Sequence, residues 1–224
     1  MLPDLREIAC LLWDVDGTMV DTTDLIVSSL DHIYRKYYRQ SASPEVIRGL
    51  IGTPLRKQIR YFGEPEDFGT SSETVMKDFI CFYEQNRDRE CILPEVTNLV
   101  KEGYARGIPT GLVTSKNREE LSNTLPRLGI AASVGIAITA DDVTNPKPDP
   151  EGILKALDHL QIPQLSRSKA VYIGDTVHDM LAGIQAGVKT IAVTWGAAST
   201  DMLTRVGPTA LCNTFDELRN LLGL

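Results

Sequence analysis

Strand-like and helix-like segments alternate from about residue 94 to the end of the chain, and this pattern folds as a parallel sheet joined by crossover helices. Apolar, β-branched runs at 109–114, 134–139, 169–173 and 189–194 predict strands, with 209–212 as a weaker edge. Amphipathic stretches at 95–106, 118–128, 150–160, 179–186 and 215–222 predict the helices between them. Gly107, Gly129 and Gly187 stand where three of these helices should stop. The apolar run 8–13 adds one more buried strand near the start.

Residues 22–92 break the alternation. Leu25, Ile26, Leu30, Ile33, Tyr34 and Tyr37 recur at helical spacing, and further helical patterns follow, so this block reads as all helix. Ser43 before Pro44 and Thr53 before Pro54 read as N-caps ahead of first-turn prolines, and residues 75–85 predict the longest remaining helix. The aromatic residues of the block are assigned to packing within a small bundle. The chain therefore divides into a discontinuous α/β core, 1–21 and 93–224, and an inserted helical domain, 22–92.

The charge pattern narrows the partners. A net charge of −7, with 23 scattered Lys and Arg, supplies no basic stripe for nucleic acid, so a small molecule is expected. No apolar stretch approaches the length of a membrane span, and no membrane partner is expected. The opening Met-Leu-Pro-Asp-Leu-Arg-Glu lacks the basic region and cleavage site of a secretory signal, which makes the cytoplasm the expected location. Cys10, Cys81, Cys91 and Cys212 show no Cys-x-x-Cys spacing and read as thiols without a metal or disulfide role. Monomer and homodimer both stay open.

Chemistry-bearing residues gather where strands should end. The 8–13 run empties into Asp14-Val15-Asp16-Gly17-Thr18, with two carboxylates one residue apart. On a strand they would share one side and converge on a cation; the bland alternative is a polar turn. Thr114-Ser115-Lys116 follows a second strand, Lys147-Pro148-Asp149-Pro150 precedes a helix, and Gly174-Asp175 with Asp179 follows a third strand. Open α/β sheets bind ligands at the carboxyl ends of their strands, so the four clusters belong to one site. Thr114 and the Ser115 backbone N–H can donate to an anionic oxygen; a helix N-cap is the alternative role, for which Asn117 also competes.

In order and content these motifs resemble the haloacid dehalogenase superfamily of phosphotransferases, over nearly the whole chain. The resemblance implies a Rossmann-like three-layer α/β core with a helical cap. It implies Asp14 as nucleophile, Asp16 as general acid and base, and Lys147 as a catalytic charge beside the acyl phosphate. Thr114 and Ser115 would bind the transferring phosphoryl group. Magnesium would be held by Asp14, Asp16 through its backbone carbonyl, and Asp175, with Asp179 orienting a ligand. His32, His159 and His178 receive no catalytic role, and His178 is expected to be exposed.

Departures from relatives narrow the subgroup. Asp16 separates the chain from the dehalogenases, which lack it, and Trp13 replaces the usual Phe. Ile26 stands where mutase relatives carry His, and residues 21–34 hold no Lys for a phosphonatase Schiff base. What remains is similar to the phosphoglycolate phosphatase group, with the related pyrophosphatase as the alternative; a non-catalytic phospholigand-binding descendant is a third reading. The expected substrate is a small anionic phosphorylated metabolite. Arg56, beside the Gly52-Thr53-Pro54-Leu55 loop, is expected to reach the site and hold a second anion, the alternative being a solvated helix face.

Overall fold

The computed structural model describes residues 7–224; the opening residues read above as lacking a signal, and the first six positions of the 1–21 segment, lie outside it. Six parallel strands form the sheet: β1 (Cys10–Trp13), β4 (Thr110–Val113), β5 (Ile136–Ile138), β6 (Ala170–Gly174), β7 (Lys189–Val193) and β8 (Ala210–Cys212), while β2 (Val20–Asp21) and β3 (Cys91–Ile92) pair separately and antiparallel. The sheet order is β5-β4-β1-β6-β7-β8, so the chain leaves central β1 in both directions. Leu12 sits opposite Gly111 on one side and Tyr172 on the other.

Period-two alternation sorts the strand side chains between two apolar layers. Leu11, Trp13, Leu112, Val171 and Ile173 face one layer, covered by α5 (Pro94–Ala105), α6 (Arg118–Leu128) and α10 (Phe215–Leu222). Cys10, Leu12, Val113, Ala170 and Tyr172 face the other, covered by α7 (Glu151–His159) and α8 (Val177–Ala186). Each fully buried Leu, Ile or Val in these layers contributes roughly 1.5–3 kcal/mol of transfer free energy. Both faces are dry, which is why the strands read as continuous apolar runs. Cys10 and Cys212 are buried, and burial pushes each thiol up to about 12; Cys81 and Cys91 are exposed, and all four are free.

The insertion contains α1 (Thr23–Ile33), α2 (Pro44–Leu50), α3 (Leu55–Gln58) and α4 (Ser72–Gln85), built around its own apolar cluster. Leu25, Leu30, Ile33 and Tyr34 of the α1 stretch meet Val75, Phe79 and Tyr83 of α4, which is the helical repeat read from the sequence. Ser43 caps α2 by accepting from the Val46 N–H at 3.4 Å. Thr53 does not cap α3, because its hydroxyl turns back to the Leu50 carbonyl at 2.8 Å and Pro54 itself takes the N-cap position. Nor is the block helical to its end: Cys91 and Ile92 form β3 and close against Val20 and Asp21, tying both connections together. One helix of the core escapes the periodicity reading, α9 (Thr200–Val206), which is only seven residues long and buries only Leu203.

Candidate active site

The carboxyl ends of β1, β4 and β6 lie side by side at the reversal of strand order, where open α/β sheets place their ligands. Asp14 follows β1 directly, and its N–H extends the pairing by donating to Ile173 at 2.9 Å. Asp175 follows β6. Asp179 lies in the first turn of α8, where Thr176 and Asp179 form a reciprocal capping box. Lys147, from the loop before α7, reaches both Asp14 Oδ1 at 2.9 Å and Asp179 Oδ1 at 2.7 Å. The Tyr172 hydroxyl donates to the same Asp179 oxygen at 2.9 Å, and Thr176 donates to the other from its hydroxyl at 2.5 Å and its N–H at 3.0 Å.

Asp175 is held differently. It accepts from the Thr18 hydroxyl at 3.1 Å and from the Ala197 N–H at 2.7 Å, and no lysine pairs with it among the described residues. Two glycines make room for it: a Cβ on Gly17, at φ +72°, would come within 2.1 Å of its Oδ2, and one on Gly196 within 2.2 Å. A larger residue at either position would displace the carboxylate.

Three buried carboxylates therefore lie together, two of them, Asp14 and Asp179, sharing Lys147. Burial pushes Asp14 up to about 7, against the pull of Lys147 and with repulsion from Asp179. Burial, followed by repulsion from Asp179 and Asp14, drives Asp175 well above the usual carboxylate range. Burial opposes ionisation of Asp179 too, but there Lys147 and the hydrogen bonds of Thr176 and Tyr172 prevail and hold it low. Burial acts to lower Lys147, yet Asp14 and Asp179 raise it, so it stays a cation.

Asp16 lines the same cavity as Asp14 but lies outside the carboxylate cluster of Asp14, Asp175 and Asp179. β1 ends at Trp13, so the same-side rule of a strand no longer governs Asp16. Its Oδ1 pairs instead with Lys116 Nζ at 3.0 Å. Lys116 is buried and stands 5.6 Å from the centre of the Tyr83 ring. Asn117 caps α6 in a capping box with Glu120, which leaves Thr114 free of that duty. The Thr114 hydroxyl oxygen accepts from the Lys116 N–H at 3.2 Å, and the Ser115 hydroxyl donates to the Gly52 carbonyl at 3.1 Å.

That last bond joins core to insertion. Together with the close approach of Gly52 to Thr176, it seats the Gly52-Thr53-Pro54-Leu55 loop over the strand ends. Between them lies a cavity in which ≈ 90 Å³ is reachable by the centre of a water-sized molecule, bordered by Asp14, Asp16, Thr114, Ser115 and Lys116 on the core side. Leu55 and Gln58, one turn apart on α3, face it. Arg56, expected there, is exposed and does not line it, because a four-residue helix that turns Leu55 and Gln58 inward turns Arg56 outward. Arg87 is the cavity's arginine, and it ion-pairs with Glu84 at 3.0 Å. His178, expected to be exposed, is half-buried, and burial lowers its pKa.

Residues 11–193 match the haloacid dehalogenase-like hydrolase family. The chain belongs to that family. Among similar proteins, a pyrophosphatase PpaX of Anoxybacillus flavithermus is 31% identical over 96% of each chain, and one of Bacillus velezensis is 29% identical over 98% of each. Among solved structures, a hydrolase from Pseudomonas syringae superposes with a TM-score of 0.82 at 21% identity, covering 96% of this chain and 98% of that one. A putative phosphoglycolate phosphatase from Lactobacillus plantarum gives 0.81 at 20% identity, covering 96% and 99%. At these identities the structures share the fold.

In this hydrolase the donor chemistry fits a hard cation. Asp14, Asp175 and Asp179 each offer a carboxylate oxygen, all within 4.8 Å of one another, in a pocket whose own charges are unbalanced. Sequence reasoning did not single out Thr18, Tyr172 or the Ala197 N–H as supports of these carboxylates. Thr18 belonged to the quoted Asp-x-Asp-Gly-Thr run, and that was its signal. Tyr172 looked like an ordinary strand aromatic, and Ala197 contributes only backbone, which no side-chain pattern reveals.

Proposed function

We propose that this hydrolase is a magnesium-dependent phosphatase that cleaves a small phosphorylated compound through an aspartyl phosphate. The observation that carries the reading is the position of Asp14. Buried beside Lys147 at the end of β1, it gives Oδ1 to the lysine, while Oδ2 receives no hydrogen bond among the described residues. Asp14 Oδ2 would attack phosphorus as the bond to the leaving oxygen breaks, and Asp16, at the cavity edge, would give that oxygen a proton. In the second half Asp16 would take a proton from water as the water oxygen attacks the aspartyl phosphate, releasing inorganic phosphate and restoring Asp14. The net change is ester plus water to alcohol plus phosphate.

The chain's other residues have matching tasks. Lys147 neutralises charge spreading onto the phosphoryl oxygens, and Thr114 with the Ser115 N–H offers neutral donors to them. Asp14, Asp175 and the Asp16 backbone carbonyl would hold the magnesium, which offsets phosphoryl charge, while Asp179 anchors Lys147. The seated loop excludes water from the reacting atoms, the task of a cap domain. A pyrophosphatase is the second reading, favoured by what the similar proteins PpaX are named for. The deciding experiment is phosphate release with p-nitrophenyl phosphate, phosphoglycolate and pyrophosphate, with and without magnesium. Asp14→Asn should abolish release while the unfolding curve stays native-like. More than about a hundredth of native activity in that variant would refute the covalent route.

A further inference from the structure

On the insertion's side the cavity has an apolar wall beside the polar Thr53, Gln58, Glu84 and Arg87. Ile26, Ile51, Leu55, Phe79, Ile80 and Tyr83 line it, and the Tyr83 hydroxyl is already spent on Glu90 at 2.6 Å. About 90 Å³ of the cavity can be reached by the centre of a water-sized molecule, space for several waters and so for a group beyond the phosphoryl.

Charge points the same way. The cations at or beside the cavity are outnumbered by carboxylates: Lys116 pairs with Asp16, Arg87 with Glu84 and Glu90, and Arg127 with Glu90, while Glu120 also borders the space. A second phosphate or a carboxylate on the substrate would meet no uncommitted cation among the described lining residues, and desolvating it there without a partner is costly. Gln58 adds a specific signal. Its Nε2 donates to the Thr53 carbonyl at 2.6 Å, which fixes the amide's orientation, and its buried Oε1 has no partner. An unpartnered acceptor attracts a hydroxyl or N–H and repels an anion.

We infer that the leaving group of the substrate is an uncharged, mainly apolar alcohol about the size of a substituted ring, bearing a hydrogen-bond donor for Gln58. The inference rests on the phosphatase reading and names its substrate class. It separates this chain from enzymes whose substrates carry a second anion.

The test compares benzyl phosphate, and its hydroxymethyl-substituted form that carries a donor for Gln58, with phosphoglycolate, all of which leave as primary alkoxides, and with pyrophosphate. The substituted ester should be the better of the two benzyl esters, and Gln58→Leu should erase that difference. No difference in the native protein overturns the donor assignment. With magnesium present, kcat/KM should favour benzyl phosphate at least about tenfold. Ile80→Arg, at a half-buried position, should shift the preference toward phosphoglycolate by a similar factor, with the fold checked by circular dichroism. Binding supplies a readout independent of turnover: benzylphosphonate should bind more tightly than phosphonoacetate in calorimetry. Preference for phosphoglycolate or pyrophosphate overturns the inference and leaves the phosphatase reading standing. No release from any compound refutes the phosphatase reading, and the phosphonate comparison then decides the ligand class by itself.

Discussion

Lys116 Nζ stands 3.0 Å from Asp16 Oδ1, so the second aspartate of the Asp-x-Asp pair is partnered by a lysine of its own. Burial acts to lower the pKa of Lys116, but Asp16, Glu120 and Glu90 raise it and keep it charged. Both residues line the cavity, and in the proposed mechanism Asp16 would protonate the leaving oxygen there. Asp16→Asn should lower kcat by about a hundredfold or more for benzyl phosphate, but by much less for p-nitrophenyl phosphate, whose leaving group departs without protonation. Lys116→Met should show the same asymmetry at smaller amplitude. Equal losses with both esters would remove Asp16 from the proton-transfer role.

Lys147 is the sole lysine in hydrogen-bond contact with Asp14 and Asp179 among the described residues. Lys147→Met should cost about 3–5 kcal/mol of stability, because it leaves buried carboxylates without a partner, and should lower kcat more than it raises KM. Part of the lost stability should return on adding magnesium, which supplies the missing positive charge. Denaturant unfolding with and without the ion reads this directly; an undiminished midpoint without magnesium would show that the pair carries no net stability.

Magnesium should stabilise the folded protein as well as activate it. At about a hundred times its dissociation constant, a ligand bound only by the native state adds about 2.7 kcal/mol, and for a chain of this length that raises Tm by about 5 °C or more. Chelation should reverse the shift and abolish phosphate release, and calcium should restore little activity because its larger, irregular oxygen shell spoils in-line geometry. Asp175→Asn should blunt the thermal shift. A magnesium shift unchanged in that variant would place the ion elsewhere.

Glu151 controls an acid-sensitive brace on the loop that carries Lys147. Its half-buried carboxylate accepts from Lys155, at 2.6 Å, and from the N–H groups of Thr144 and Asn145, and these bonds bring it down to about 2. A carboxylate depressed in the folded state contributes its full stabilisation above the ordinary glutamate range and loses it as the pH falls through about 2. The difference in Tm between the native protein and Glu151→Gln should therefore be largest near pH 6 and shrink steadily toward pH 2. A difference that stays constant with pH would mean that the charge of Glu151 is not what braces the loop.

Much of the core was legible because its signals are local. β4 and β6 fall within a residue of the apolar runs that predict them, α6 and α10 match the amphipathic segments outright, and Gly129 and Gly187 end their helices in the left-handed region. The insertion was legible as helix, but its short pieces were not legible in orientation. Four residues of α3 hold too little periodicity to say which side faces inward, and the expectation for Arg56 rests on its charge beside the loop, not on its facing.

By itself, the sequence determined the layered α/β core, the helices of the segment between β2 and β3 and the strand ends that carry Asp14 and Asp175, since periodicity and strand-end motifs depend only on neighbours along the chain. Tertiary structure alone decided the pairings. Lys147 reaches Asp14 across 133 positions, and Lys116 pairs with Asp16. Arg87 rather than Arg56 borders the cavity. Charged side chains of one sign look alike in sequence, and only the packing of the insertion over the strand ends determines which of them are buried together.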